Sequence, residues 1–230
     1  MLLLTIDSST SAGSIALIRD QKVVAKSILN LQQTQSQRLM PQIVNLLDAT
    51  GYQPGDLKAV AVGVGPGSFT GMRIGIATAK TLAQALDLPI VGVSTLAAIA
   101  YRLRYSKGYI LALLNSNRNN LFAGIFHSEG QELKREAEDA LISMDDLAKE
   151  LAQLKERIYI TGEYTKAQDL LAEKLDDLVF TTTGFNLPDP VAIAELAEQK
   201  LALNSTEELY KIEPNYLKRS QAEISWTERN

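Results

Sequence analysis

The chain opens with three short apolar bursts, "LLLTID" (residues 2–7), "GSIALIRD" (13–20) and "KVVAKSILN" (22–30). Each reads as a strand, and the few residues between them permit only antiparallel hairpins, turning through Ser8 to Ala12 and through Asp20-Gln21. The period then changes. Leu39, Met40, Ile43, Val44, Leu46 and Leu47 fall at the 3.6-residue spacing of an amphipathic helix over 34–50, with Gly51 as its stop. "LKAVAVGVG" (57–65) is a continuous apolar run, the pattern of a strand covered on both faces. A helix over 70–87, the strand "PIVGV" (89–93) and a further helix from Ser94 follow. Antiparallel strands first and parallel strands afterwards predict a mixed sheet flanked by helices, an α/β fold.

A second series starts near Lys107. "YILALLNSN" and "NLFAGIFHS" alternate as a hairpin; then come a strand near Ala140, a helix over 144–154, the strand "RIYITG" (157–162), and helices over 165–174 and 191–203. The pattern predicts two lobes, residues 1–105 and 106–230, that meet between Arg104 and Gly108.

Composition excludes several classes of function. At 230 residues, with 46% hydrophobic and 22% charged residues, the chain can bury a core without disulfides or metals. Its net charge of -4 argues against gripping nucleic acid alone, because phosphate binding rests on clustered Lys and Arg; any RNA is expected to come with a partner. The absence of cysteine excludes disulfide scaffolds, Cys-ligated zinc and thiol nucleophiles. "MLLLTIDSST" has no basic segment and turns polar early, so a strand is expected there rather than a signal peptide. With no apolar stretch of membrane-spanning length, a cytoplasmic address is expected.

Candidate chemistry concentrates in "GVGPGSFTGMRIG", Gly63 to Gly75. It has no Gly-Lys for a phosphate-binding Walker loop, and Ser68 stands where a dinucleotide fingerprint needs its third glycine. Two readings remain open: a strand-to-helix turn whose amides meet an anion, or a tight turn capped by Ser68 or Thr70. Along the next helix Arg73, Lys80, Gln84 and Asp87 form a narrow polar stripe, whereas Gly71, Gly75, Ala79 and Ala83 recur every four residues. That small-residue strip admits a close neighbour, either another element of this chain or another protein. Asp7, followed by Ser8, Ser9 and Thr10, suits a hydrated magnesium ion or an Asx turn. His127, the single histidine, is read as structural, and Glu163 and Asp189 lack a visible carboxylate partner. No complete active site emerges.

"TIDSST", "GVGPGSFTGMRIGIATAKTLAQALDLPIVGVSTLAAIA" and "PNYLKR" together resemble the bacterial TsaB (YeaZ) family. The resemblance implies an actin-like ATPase (ribonuclease H-like) fold and a part in making threonylcarbamoyladenosine on tRNAs that read ANN codons. It implies a non-catalytic subunit, with no catalytic residue, metal or cofactor of its own, that stabilises the transferase TsaD and helps recruit the ATPase TsaE. A homodimer is implied when TsaD is absent, tRNA contact only through the complex, and ATP or ADP at the joint with TsaD. TsaD carries a metal-binding block with two histidines where this chain has Thr95 and Ile99. The implied partner interface comprises Leu39, Met40, Ile43, Leu47, Gly71, Gly75, Ala79 and Ala83, and the implied nucleotide contacts are Asp7, Ser9, Gly67, Ser68 and Arg73. The alternatives are a stand-alone ATPase or kinase of the actin-like fold, built around Asp7, and a peptidase. Trp226 is expected either to anchor the C-terminal tail or to lie free.

Overall fold

A computed structural model describes residues 1–30, 35–116, 119–203 and 209–217, so Trp226 lies outside the described residues. Five strands make the first sheet: β1 (Leu2–Asp7), β2 (Gly13–Arg19), β3 (Lys22–Leu29), β4 (Ala59–Gly65) and β5 (Ile90–Ser94), in the order β3-β2-β1-β4-β5. β1 pairs antiparallel with β2, Leu4 opposite Leu17, and parallel with β4, Leu4 opposite Val60. The expected mixed sheet is thus formed.

Alternation along the central strands sorts side chains onto two faces. Leu4, Ile6, Val60 and Val62 face the helices α1 (Gln35–Thr50) and α2 (Phe69–Leu86). Leu3, Ala59 and Ala61 face the other way, against α3 (Thr95–Tyr101) and α6 (Pro190–Ala202). Small residues dominate that second layer. Ala192, Ala194 and Ala197 of α6 meet Ala59 and Ala61, so the helix seats close to the strands, and the Thr5 hydroxyl donates to the Pro190 carbonyl at 2.9 Å.

The second sheet contains β6 (Lys107–Asn115), β7 (Asn120–Glu129), β8 (Leu133–Arg135), β10 (Ile158–Gly162) and β11 (Leu178–Phe180), in the order β11-β10-β6-β7-β8, with β9 (Ala140–Ser143) paired to β7. One face packs on α4 (Met144–Leu151) and α5 (Gln168–Lys174) through Leu147, Leu151 and Leu171. The other face packs on α3 through Leu96, Ile99 and Phe126. Helix α3 is therefore apolar all round and buried between the sheets. His127 on β7 lies edge-on to Tyr109 with its Nε2 3.1 Å from Glu156, a packing role.

Two features depart from the sequence pattern. Strands β8 and β11 are three residues each, too short to show alternation. Helix α6, expected among residues 106–230 of a second lobe, packs instead on the first sheet, because its alanine face fits the small residues of β4 and the edge of β1.

If α6 completes the first sheet, Ile193→Ala should behave as a core truncation of that unit. Ile193 is fully buried, and the expected loss in urea unfolding is about 2–5 kcal/mol, like Leu3→Ala. A loss below 1 kcal/mol would mean that α6 is only an appendage.

Candidate functional site

The ends of β1 and β4 and the starts of α2 and α3 converge on Asp7, which is completely buried. Its Oδ1 accepts from the Ser9 amide at 2.9 Å and the Ser9 hydroxyl at 2.7 Å, and its Oδ2 accepts from the Thr95 hydroxyl at 2.9 Å. The Ser9 and Thr95 hydroxyl oxygens lie 3.0 Å apart. Burial raises the Asp7 pKa above its ordinary value, and the bonds from Ser9 and Thr95 oppose that rise. The residues show an Asx-type turn with its carboxylate oxygens already served.

The glycines answer to the same loop. A Cβ on Gly63 would overlap the Asp7 carboxylate, on Gly67 the Ser9 carbonyl, on Gly71 the Ser8 carbonyl and on Gly75 the Ser8 hydroxyl. Four glycines at intervals of four thus admit three consecutive residues, the end of β1 at Asp7 and the start of the β1–β2 loop at Ser8 and Ser9. Hydrogen bonds fix the contact: the Ser68 amide donates to Ser9 O at 2.6 Å, and the Ser8 hydroxyl donates to Gly71 O at 2.8 Å. Ser68 Oγ caps α2 by accepting from the Gly71 amide at 3.2 Å. The capped-turn reading therefore describes this stretch, and its close neighbour is its own chain.

Arg73 does not join this group. Its guanidinium lies over the Phe69 ring, 4.0 Å from the centroid, and its Nε donates to the Tyr216 hydroxyl at 2.7 Å. Phe69 and Tyr216 stack with centroids 4.8 Å apart. The Asn215 amide donates to Val64 O, and Ile212 sinks into the first core, so the segment carrying Tyr216 is tied across the start of α2. Of the nucleotide contacts expected from the sequence, Asp7, Ser9, Gly67 and Ser68 come together by packing on one another, and Arg73 is held outside them. Thr95 and Tyr216 were not among those contacts. Thr95 could be found only through its position in the TsaD comparison, and Tyr216 has no local signal.

The expected partner interface needs correction. Leu39, Ile43 and Leu47 of α1 and Ala79 and Ala83 of α2 belong to the first hydrophobic core, and Gly71 and Gly75 face Ser8. A strip of small side chains allows the closest approach available, and the sheet beneath α2 uses it. Only Met40 of the expected set is exposed, at 41%, with Val44 beside it at 47%. On α2 the outward positions are Thr70, Arg73, Ala77, Thr81, Gln84 and Ala85, with Ile74 and Leu82 half-buried.

Comparison with known proteins adds four findings. A protein-family model described as "TsaD: tRNA N6-adenosine threonylcarbamoyltransferase" matches residues 22–226. The chain is similar to the tRNA threonylcarbamoyladenosine biosynthesis protein TsaB of Bacillus subtilis (strain 168), at 32% identity over 99% of both chains. Among solved structures it is similar to YeaZ from Pseudomonas aeruginosa, with a TM-score of 0.78 and 24% identity over 94% of this chain and 99% of that one. It also resembles the ROK hexokinase from Thermus thermophilus, with a TM-score of 0.50 and 10% identity over 88% of this chain and 100% of that one. These two likenesses, with the strand order, establish the actin-like ATPase fold.

Two outcomes follow from the packed loop. Gly71→Ala should destabilise by about 1–3 kcal/mol, since its new methyl meets backbone. Ser8→Ala should leave that loss intact but relieve Gly75→Ala, whose methyl meets only the Ser8 side chain; equal behaviour of the two glycine variants in both backgrounds would refute the packing. The buried carboxylate sets a pH dependence. Because the native pKa of Asp7 lies above the unfolded value near 3.8, the cost of its charge is absent below 3.8 and complete above the raised native value. The melting temperature of Asp7→Asn, relative to the natural chain, should rise as pH climbs through that window; a constant difference would show a solvated carboxylate.

Proposed function

Because the chain belongs to the TsaB family of tRNA threonylcarbamoyladenosine biosynthesis proteins, we propose that it serves that biosynthesis as a non-catalytic subunit that binds and stabilises the transferase TsaD. The observation that carries this reading is the outer face of α1 and α2. The two helices lie side by side on the first sheet, and Met40, Pro41, Val44 and Ala77 point outward from them. Apolar residues on a paired-helix ridge suit packing against another helix pair. In this reading TsaD presents the matching helix pair, and a second copy of this chain takes the same face when TsaD is absent.

Asp7 weighs against a stand-alone ATPase or kinase. A magnesium-phosphate site needs carboxylate oxygens free to face the ion, whereas those of Asp7 are buried and engaged by Ser9 and Thr95. In the favoured reading ATP or ADP sits at the joint with TsaD, and TsaE is recruited there. Arg73 is the cation at hand on this chain, and to meet phosphate its guanidinium has to leave the Tyr216 hydroxyl. The charge of -4 fits a subunit that meets tRNA only within the complex.

The test places a charge on the outward face rather than in the core. Val44→Glu combined with Ala77→Glu, both at exposed positions, should leave thermal stability within about 0.5 kcal/mol. Affinity for purified TsaD should fall at least about tenfold, or 1.4 kcal/mol, in a titration. Unchanged affinity in the folded variant would remove this face from the proposal.

A further inference from the structure

A groove of about 490 Å³ lies between the β2–β3 turn, the end of α3 and the outer side of α6, away from the Asp7 network and from the α1–α2 face. Its volume falls in the range of roughly 300–1,000 Å³ typical of small-molecule sites. Ile18, Val23, Val191 and Ala194 form an apolar wall. Opposite, Arg104 pairs with Glu195 at 2.8 Å and lies over the Tyr101 ring, 4.1 Å from its centroid. Gln199 Nε2 donates to the Tyr101 hydroxyl at 2.9 Å, which leaves the amide oxygen able to accept.

The charges of this groove are unbalanced. Its arginine is already neutralised by Glu195, and Glu198, three residues further along α6, has no ion-pair partner among the described residues. The nearby amino terminus is itself paired with Asp20. We propose that the groove binds a small alkyl ammonium compound, with its ammonium on Glu198 and its methylene chain along Ile18, Val23 and Val191. An anion would meet two carboxylates with the lining Arg104 already engaged, and a neutral apolar molecule would strip water from Glu198 without replacing it. An ammonium restores the missing partner, and Gln199 Oε1 offers it a second acceptor. Burial raises the Glu198 pKa and the charge of Glu195 adds to the rise, while the amino terminus opposes it. This inference is independent of the role proposed with TsaD.

The probes are 1,5-diaminopentane and glutarate, titrated calorimetrically into the full-length chain. The diamine should bind saturably and glutarate should not. Glu198→Gln should weaken the diamine at least about tenfold, with an unchanged melting temperature. Val23→Ser, at an exposed position, should weaken it several-fold through the apolar wall and gives a readout should Glu198→Gln melt early. Absence of saturable diamine binding, equal binding of glutarate, or equal diamine affinity in both variants and the natural chain would overturn the proposal.

Discussion

The architecture depends on one close approach, the backbone of Ser8 and Ser9 pressed into the glycine run that joins β4 to α2. Side chains at residues 63, 67, 71 and 75 would hold the two segments apart, and the Asp7 carboxylate would then lose its enclosure. A buried carboxylate without donors is costly, so the approach and the polar network require each other. The amide and hydroxyl of Ser9 are local donors, but the third donor arrives from a helix remote in sequence, α3. Local turn geometry and long-range packing are therefore a single arrangement here.

Helix α3 extends that arrangement to the second sheet. Thr95 ties its first turn to Asp7, while the adjacent Ser94 donates to Asp139 at 2.8 Å, and Arg135 holds Asp139 from β8. With Leu96 and Ile99 against the second sheet and Ala98 and Tyr101 against the first, the helix has no free side. The sheets are joined through a largely buried helix. Among the described residues, the outer surface of α1 and α2 carries exposed apolar side chains at Met40, Val44 and Ala77.

Much of this was legible in the residues. The change from period two to period 3.6 after Lys22 to Leu29 marks α1, and the apolar run before Gly63 marks a central strand. The strip of Gly71, Gly75, Ala79 and Ala83 was recognisable as a surface of close approach. A helical period tells which residues share a face, but not whether that face meets its own sheet or another protein. The partner interface was misplaced for that reason, with Leu39, Ile43 and Leu47 turning inward and Val44 outward. The hydrogen bond from Arg73 to Tyr216 joins residues 143 apart and the Thr95 bond to Asp7 spans 88, distances at which one sequence carries no pattern. The amphipathic character of α6 was readable, but its choice of sheet was not, since alanine-rich faces suit any flat, small-residue surface.

The return of α6 to the first sheet also bears on how the protein is made. Ribosomal synthesis delivers β1 to β5 with α1 and α2 first, but the alanine layer that closes the opposite face starts at Pro190. At roughly 5–20 residues per second, the stretch from Ser94 to Pro190 takes on the order of 5–20 s to emerge. A first sheet formed in that interval would lack the cover that α6 gives to Leu3, Ala59, Ala61 and Val91, with only α3 at hand on that face. Completion of the first sheet therefore waits on a helix that lies about a hundred residues beyond its last strand.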